Sequence, residues 1–423
     1  MLCSTVIRST RRRSANIRAI AHRRSFAVQP LALTASSLVT CLGAGRAENV
    51  AALRARRTGL APCTFETVTL DTCVGEVRGV DQVRVADRLR HFDGRNIRLA
   101  QLGLETDGLW SAVVAARERH GADRIGVFLA TSTSGILETE LAYRARDAAG
   151  RLPPGFHYRE THNTYSLADY VRRAFELAGP AVVVSAACAS SAKVFGNAAR
   201  AVAVGLCDAA LVGGVDSLCL TTLYGFHSLG VLARRPCRPF DAARDGISIS
   251  EGAGFVLLEK AQHGASRARV HLLGVGESSD AHHMSTPHPD GAGARMAMQR
   301  ALAAAQIAPG RVDYINLHGT ASRSNDSSED AAVMAVFGAA TPCSSTKGLT
   351  GHALGAAGVI EAIITAIALE DGFLPAGANT LARDPALRAD YLVEPRAGTP
   401  RIAMSNSFGF GGANCSLLLG LAP

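Results

Sequence analysis

Unbroken apolar runs recur along the chain: RIGVFLATS from Arg124, AVVVSAA from Ala181, AALVGGV from Ala209, AGFVLLE from Ala253, VHLLGVGE from Val270, VDYINLHG from Val312 and RIAMSNSFGF from Arg401. A strand with one wet face alternates apolar with polar residues, so these runs predict strands covered on both faces. Ala-rich stretches of helical spacing lie between them. The clearest runs from Ala189 to Val204, with Phe195, Ala199 and Val202 on one face and Gly205 as the residue that ends it. Strands alternating with helices predict an α/β fold. The longest apolar stretch, ALGAAGVIEAIITAIALE, holds Glu361 and ends on Glu370, which suits a buried helix of a soluble protein better than a membrane span. The same order of helix, strand and glycine turn appears on both sides of an irregular charged stretch, Lys260 to Arg269. This predicts two similar halves, 29–265 and 266–423.

With 423 residues, 48% of them hydrophobic and 19% charged, the chain can bury one large core or two fused ones. The net charge of +8 is concentrated near the start: residues 1–28 hold seven arginines and no acid, and without them 37 basic residues face 36 acidic ones. The body therefore gives no reason to expect a nucleic acid partner. An Arg- and Ser-rich leader resembles a mitochondrial transit peptide. Lysine, however, occurs only at 193, 260 and 347, an Arg bias that suggests GC-rich coding. The preferred expectation is thus a basic, disordered extension from an over-extended bacterial start, with a cytoplasmic protein behind it and mitochondrial import as the alternative. Ten scattered cysteines, with no C-x-x-C pair, argue against a zinc site and a secreted disulfide framework.

Cys188 stands where AVVVSAA gives way to the helix. Unsatisfied N–H groups and the macrodipole at a helix N-terminus favour a thiolate, and Ala187, Ala189, Ser190 and Ser191 leave room around the sulfur. A buried structural cysteine is the competing reading of this stretch alone. YINLHGTAS places His318 in a turn after a strand, and STKGLTGHALGAAG places His352 before a helix whose Gly355 to Gly358 permit close packing. SNSFGFGGANCSLLLG carries Gly409, Gly411 and Gly412, which free backbone N–H groups to face a ligand oxygen. That turn does not open a helix after a strand, so phosphate-loop and dinucleotide readings fail.

From about Pro30 onward the sequence resembles the β-ketoacyl-acyl carrier protein synthases of the type I/II group. The resemblance rests on six ordered motifs: SAACASSA at 185–192, RPFDAARDGISISEGAG at 238–254, SSDAHHMSTPHPDGAGA at 278–294, NLHGTAS with NDSSE at 316–329, STKGLTGHALGAAG at 345–358 and NSFGFGGAN at 406–414. It implies a thiolase-like fold of two similar α/β halves in α-β-α-β-α layers. It also implies decarboxylative condensation of an acyl chain on Cys188 with malonyl-acyl carrier protein. His318 and His352 would polarise the malonyl thioester, with Lys347 and Glu329 supporting them and Asp326 beside Glu329. The N–H groups of Cys188 and Phe410 would form the oxyanion hole. Thr320, Ser322 and Ser285 would bind pantetheine, and Phe226, Phe408 and Phe410 would gate the tunnel. Taken one at a time, Lys347, Glu329 and Asp326 could each be an ordinary surface charge. No metal and no cofactor beyond the carrier's phosphopantetheine is implied.

The expected assembly is a homodimer, with a heterodimer with a paralogous subunit as the alternative. A non-catalytic carrier-binding subunit would lack the cysteine, and a thiolase acting on coenzyme A esters would carry a second one where Phe410 stands. Ile247 replaces the family's usual Phe, residues 157–170 differ from the housekeeping pattern, and NLHGTASRSND looks more like ketosynthases of specialised pathways such as aryl polyene assembly. Acyl chain length and pathway stay open.

Overall fold

In the computed structural model, which describes residues 29–261 and 268–422, the strands fall into two sets of one topology. The first set is β1 (Leu31–Thr40), β2 (Ile125–Ala130), β3 (Ala181–Val184), β4 (Ala209–Asp216) and β5 (Gly252–Lys260). The second is β6 (Val270–Ser279), β7 (Tyr314–Asn316), β8 (Pro342–Ser344), a two-residue β9 (Asp390–Tyr391), β10 (Ile402–Phe408) and β11 (Ala413–Leu421). Spatial order is β3-β2-β4-β5-β1 in one and β8-β7-β10-β11-β6 in the other, with β9 beyond β8. In both, the first three strands of that order run parallel and the last two antiparallel to their neighbours. The sets join where Leu31 and Ala32 of β1 pair with Leu272 and His271 of β6.

The helices form the other three layers. α1 (Arg95–Glu105), α2 (Leu109–His120) and α3 (Ser166–Ala174) cover the outside of the first set. α4 (Ser190–Ala203) lies between the two sets. α5 (Ala292–Ala305) covers the outside of the second, with α6 (Arg323–Phe337) packed on it, and α7 (Ala357–Asp371) joins α4 in the central layer. The result is the expected α-β-α-β-α order. The three largest hydrophobic cores follow from it. The central one gathers Phe195 and Ala199 of α4 and Ile360, Ile363 and Ile367 of α7 with Val212 of β4 and Leu417 of β11. A helix apolar all round can only be central, and α7 buries thirteen of its fifteen residues. Each of its four isoleucines contributes about 1.5–3 kcal/mol on leaving water.

One strand departs from expectation. β3 is not covered on both faces: it ends the sheet, and Val182 is 39% exposed. An apolar run cannot by itself tell a doubly covered strand from an edge strand awaiting a partner. No helix among the described residues is long and apolar enough to cross a membrane. The basic extension at residues 1–28 and the boundary between 265 and 266 lie outside the described residues.

Candidate active site

The chain leaves β3 at Val184 and enters α4 at Ser190 through a turn in which Ala187 takes φ of 48°. A left-handed non-Gly residue costs roughly 1–3 kcal/mol and persists only where its surroundings impose it. Ser190 Oγ accepts the Ala186 N–H at 2.8 Å from inside the turn. From outside, the turn between β10 and β11 lies against it: a Cβ on Gly409 would sit 3.1 Å from Ala186 O, Cys188 N and Ala189 N. Glycine there is what allows two backbones to touch, and it brings the Phe410 N–H onto Cys188 Sγ.

The second half supplies the histidines. His352 is clamped on both sides of its backbone, its N–H donating to Ser248 O at 2.8 Å and its O accepting from Ser250 N at 3.0 Å. Its Nε2 lies 3.0 Å from Cys188 Sγ. His318 follows β7, with rings 5.4 Å apart and nearly perpendicular to His352 at 82°. Sγ and one nitrogen of each imidazole lie within 4.8 Å of one another. Glu329 of α6 fixes the His318 main chain, accepting the N–H groups of His318 and Gly319 at 2.8 and 2.7 Å. Lys347 fixes the ring. Its Nζ donates to His318 O at 2.6 Å, approaches His318 Nδ1 at 3.4 Å and pairs with Glu361. An ammonium offers donors only, so Nδ1 of His318 accepts and Nε2 carries the ring proton toward the cavity.

Burial dominates the electrostatics. It pushes the Cys188 thiol up to about 11, against the pull of Lys347 and the Phe410 N–H. The thiolate expected from the helix terminus is therefore corrected: desolvation of a buried sulfur outweighs the dipole, and the resting group is a thiol. Burial, aided by the Lys347 charge, holds both histidines well below the usual imidazole range, so both are neutral. Glu329 is raised to about 7 and Asp326 to about 6, again by burial, opposed by the backbone N–H groups that each accepts.

A cavity of about 640 Å³ opens onto these atoms. Thr320, Ser322, Ser285, Phe226, Phe408 and Phe410 all line it. Phe226 stacks on Phe410 at 5.7 Å and Phe408 stands edge-on to His318 at 6.0 Å. Ile247, Val231 and Phe226 form an apolar wall continuous with a cluster around Phe65, Leu137 and Leu223. Lys347, Glu329 and Asp326 are not surface charges, being 0%, 1% and 0% exposed, and none lines the cavity. Lys347 and Glu329 hold His318 in place and do not face substrate. Asp326 ties the segment at Phe240, whose N–H it accepts at 2.9 Å, to the turn at Ala321. Ser322 also has a structural role, because its hydroxyl is the N-cap of α6, accepting from Asn325 N at 3.3 Å, and it meets Thr320 Oγ1 at 3.0 Å. The residue that sequence reasoning missed is Glu361. The signal is present, an acid in the apolar middle of α7 nine residues before the acids that end it, yet on the sequence alone it argues only against a membrane span.

Comparison with known proteins identifies the family. The family model "Beta-ketoacyl synthase, N-terminal domain" matches residues 29–264 and "Beta-ketoacyl synthase, C-terminal domain" residues 270–380. The chain is 32% identical over 406 residues to 3-oxoacyl-[acyl-carrier-protein] synthase 2 of Coxiella burnetii, covering 92% of this chain and 97% of that protein. It is also 32% identical to the same-named protein of Vibrio cholerae, covering 84% and 89%. Among solved structures, the ketosynthase ApeO in complex with its chain length factor ApeC from Xenorhabdus doucetiae matches at 35% identity and a TM-score of 0.85, covering 93% of this chain and 98% of that one. The ishigamide ketosynthase/chain length factor matches at 28% identity and 0.86, covering 93% and 100%.

Proposed function

The chain belongs to the β-ketoacyl synthase family, and from that premise we propose a two-step reaction on Cys188 that makes it a 3-oxoacyl-[acyl carrier protein] synthase. The observation that carries the assignment is the meeting of Cys188 Sγ, His352 Nε2 at 3.0 Å and the Phe410 N–H in a cavity open to a substrate arm. In the first step Sγ attacks the acyl thioester carbonyl and His352 Nε2 takes the thiol proton. The C–S bond to pantetheine breaks and the leaving thiolate receives that proton, leaving an acyl enzyme. In the second, the C–C bond of the malonyl group breaks and carbon dioxide departs. The electron pair forms an enolate whose oxygen accepts N–H bonds from His318 and from His352, which first exchanges its Nδ1 proton with solvent for one on Nε2. The enolate carbon attacks the Cys188 thioester, the tetrahedral oxyanion sits at the N–H groups of Cys188 and Phe410, and on its collapse the C–S bond to Cys188 breaks and the freed thiolate takes a proton from solvent.

Thr320, Ser322 and Ser285 line the polar side that suits pantetheine, and the wall at Ile247 suits the acyl chain. The substrates arrive on acyl carrier protein, and the chain needs no cofactor or metal of its own. Its two halves, 29–265 and 266–423, divide the labour, as the repeated strand order supports. The free edge of β3, with Val182 exposed, suits strand addition by a second copy or by a paralogous subunit, the latter in line with the ketosynthase/chain length factor pairs among the matches. The location is cytoplasmic, in keeping with nine free cysteines among the described residues. Incubation with acyl- and malonyl-acyl carrier protein should yield carbon dioxide, a 3-oxoacyl product and an acyl mass on the peptide containing Cys188. A folded protein that never acquires that mass would refute the reading.

A further inference from the structure

Asp216, the last residue of β4, is fully buried and accepts more hydrogen bonds than any single structural turn requires. Its Oδ1 receives Thr131 Oγ1, Ser132 N, Thr133 N and Thr133 Oγ1 at 2.7–2.8 Å. Those four donors all belong to the loop after β2, in the same half. Its Oδ2 receives Ser132 Oγ at 2.6 Å and, from the other half, Gly355 N at 2.5 Å. Gly355 is three residues beyond His352, in the short turn that leads into α7, next to Leu354 with its φ of 50°. The contact is close enough that a Cβ on Gly355 would lie 2.8 Å from Asp216 Oδ2.

The repeated topology gives this contact a counterpart. β10 is the equivalent of β4, and the residues after it, Gly409 and Phe410, grip the Cys188 turn at the start of α4. Asp216 at the end of β4 grips the His352 turn at the start of α7. Each half thus holds the reactive turn of the other. We propose that Asp216 is a positioning residue for His352, its carboxylate fixing the Leu354–Gly355 turn and through it the approach of His352 Nε2 to Cys188 Sγ. The proposal rests on the reading of His352 as the partner of the Cys188 thiol.

Asp216→Asn tests it because it damages one side only. The amide oxygen can keep the four donors at Oδ1, while the NH₂ replaces Oδ2 and faces the Gly355 N–H donor to donor. Ser132 can rotate its hydroxyl to accept, whereas a backbone N–H cannot. Gly355→Ala pushes on the same contact from the other side. Asn49→Ala, which removes a buried bond to Thr40 at 2.6 Å and touches no residue of the cavity lining, serves as a control for lost stability. The readouts are thermal melting, condensation rate at pH 7, and the rate at which iodoacetamide labels Cys188, followed by peptide mass spectrometry from pH 6.5 to 9. With His352 in place, labelling should vary little with pH. With it displaced, a thiol that burial holds above its usual range depends on hydroxide, and the rate should climb about tenfold per pH unit.

Asp216→Asn and Gly355→Ala should both show that steep profile and a loss of condensation of about 10- to 100-fold, as His352→Ala does in the same series, while Asn49→Ala keeps the shallow one. If His352→Ala is steep and the Asp216 and Gly355 variants stay shallow, the positioning role is wrong and the His352 reading survives. If His352→Ala is itself shallow, the reading beneath the proposal falls.

Discussion

The turn that carries Cys188 and the turns that carry His318 and His352 occupy equivalent places in two sheets of one topology, after the second and third strands, yet their electrostatics are opposite. Around Cys188 the chain places Ala186, Ala187, Ala189, Ser190 and Ser191, so nothing charged from its own half contacts the sulfur, and desolvation keeps it a thiol. Around the histidines it buries Lys347, Glu361, Glu329 and Asp326. Burying charge costs several kcal/mol per ion even when paired, so a fold that needed only stability would have filled this space with apolar residues. What the charges achieve is specific: Lys347 adds to the burial that keeps two imidazoles neutral, and Glu329 aims one of them. The nucleophile half supplies shape and the histidine half supplies polarisation.

Removing the nucleophile gives the largest effect. Cys188→Ala should abolish acyl-enzyme formation altogether, read as the absence of any acyl mass after incubation with acyl-acyl carrier protein. The other described cysteines show why: Cys41, Cys237 and Cys415 are as enclosed, and none has an imidazole nitrogen within reach. An acyl group on the Cys188→Ala protein would collapse the contrast at its origin.

The histidines come next and separate from each other. Each change to Ala should cost condensation roughly 100- to 1000-fold, the usual loss of one preorganised donor. They should differ in the first half-reaction. Only His352 touches the sulfur, so His318→Ala should acylate at near the native rate while His352→Ala is slowed yet measurable at pH 7. Single-turnover acylation and condensation assays on the same folded preparations decide it. Near-native condensation by both variants would end the Cys-His-His reading.

Much of this arrangement was legible in the sequence. The α4 helix, the turn at Cys188, the helix after His352 and seven strands follow from apolar runs and small residues. Four strands were missed: β8 and β9 are only three and two residues long, while LALTASSLVT at Leu31–Thr40 carries Thr34, Ser36 and Ser37 in its middle and ANCSLLLGL at Ala413–Leu421 reads as the tail of a glycine turn. Leu31–Thr40 is made by long-range pairing with β5 and β6, and Ala413–Leu421 by a hairpin with β10 and a long-range ladder with β6. The histidines and hydroxyls of the site could be named from motifs. The division between groups that face the cavity and groups that hold them could not, because the partner of Lys347 lies fourteen residues away on α7 and Gly409 meets Cys188 across the whole chain.

Lys347→Met probes the charged side. It leaves the Glu361 carboxylate buried and alone, which should cost about 3–5 kcal/mol, so folding suffers together with activity. Burial raises Glu361 above the usual carboxylate range, so its protonated form is favoured in the folded state. The variant's stability should therefore fall as pH rises through that raised value, and Lys347→Met/Glu361→Gln should recover most of it. Activity carries the sharper sign. Lys347 lowers both histidines, so its loss should raise them and shift the acid limb of the condensation profile upward toward 6.5. An unmoved limb in the folded double variant would show that burial alone keeps the imidazoles neutral.

The smallest expected effect compares the two hydroxyl-rich loops after the second strands. In the first half Thr131, Ser132 and Thr133 all turn inward to Asp216; in the second Thr320 and Ser322 line the cavity. Ser322 also caps α6, so its substitution mixes two roles that different replacements can separate. Ser322→Ala should lower stability by about 1 kcal/mol, the typical worth of an N-cap, and raise KM for malonyl-acyl carrier protein a few-fold with kcat little changed. Ser322→Asn retains a capping oxygen but presents a bulkier amide to the arm, so its melting temperature should stay near native while KM rises at least as far. Ser322→Thr should preserve both. If Ser322→Asn binds its substrate normally, the hydroxyl is a cap and nothing more, and the polar wall of the cavity reduces to Thr320 and Ser285.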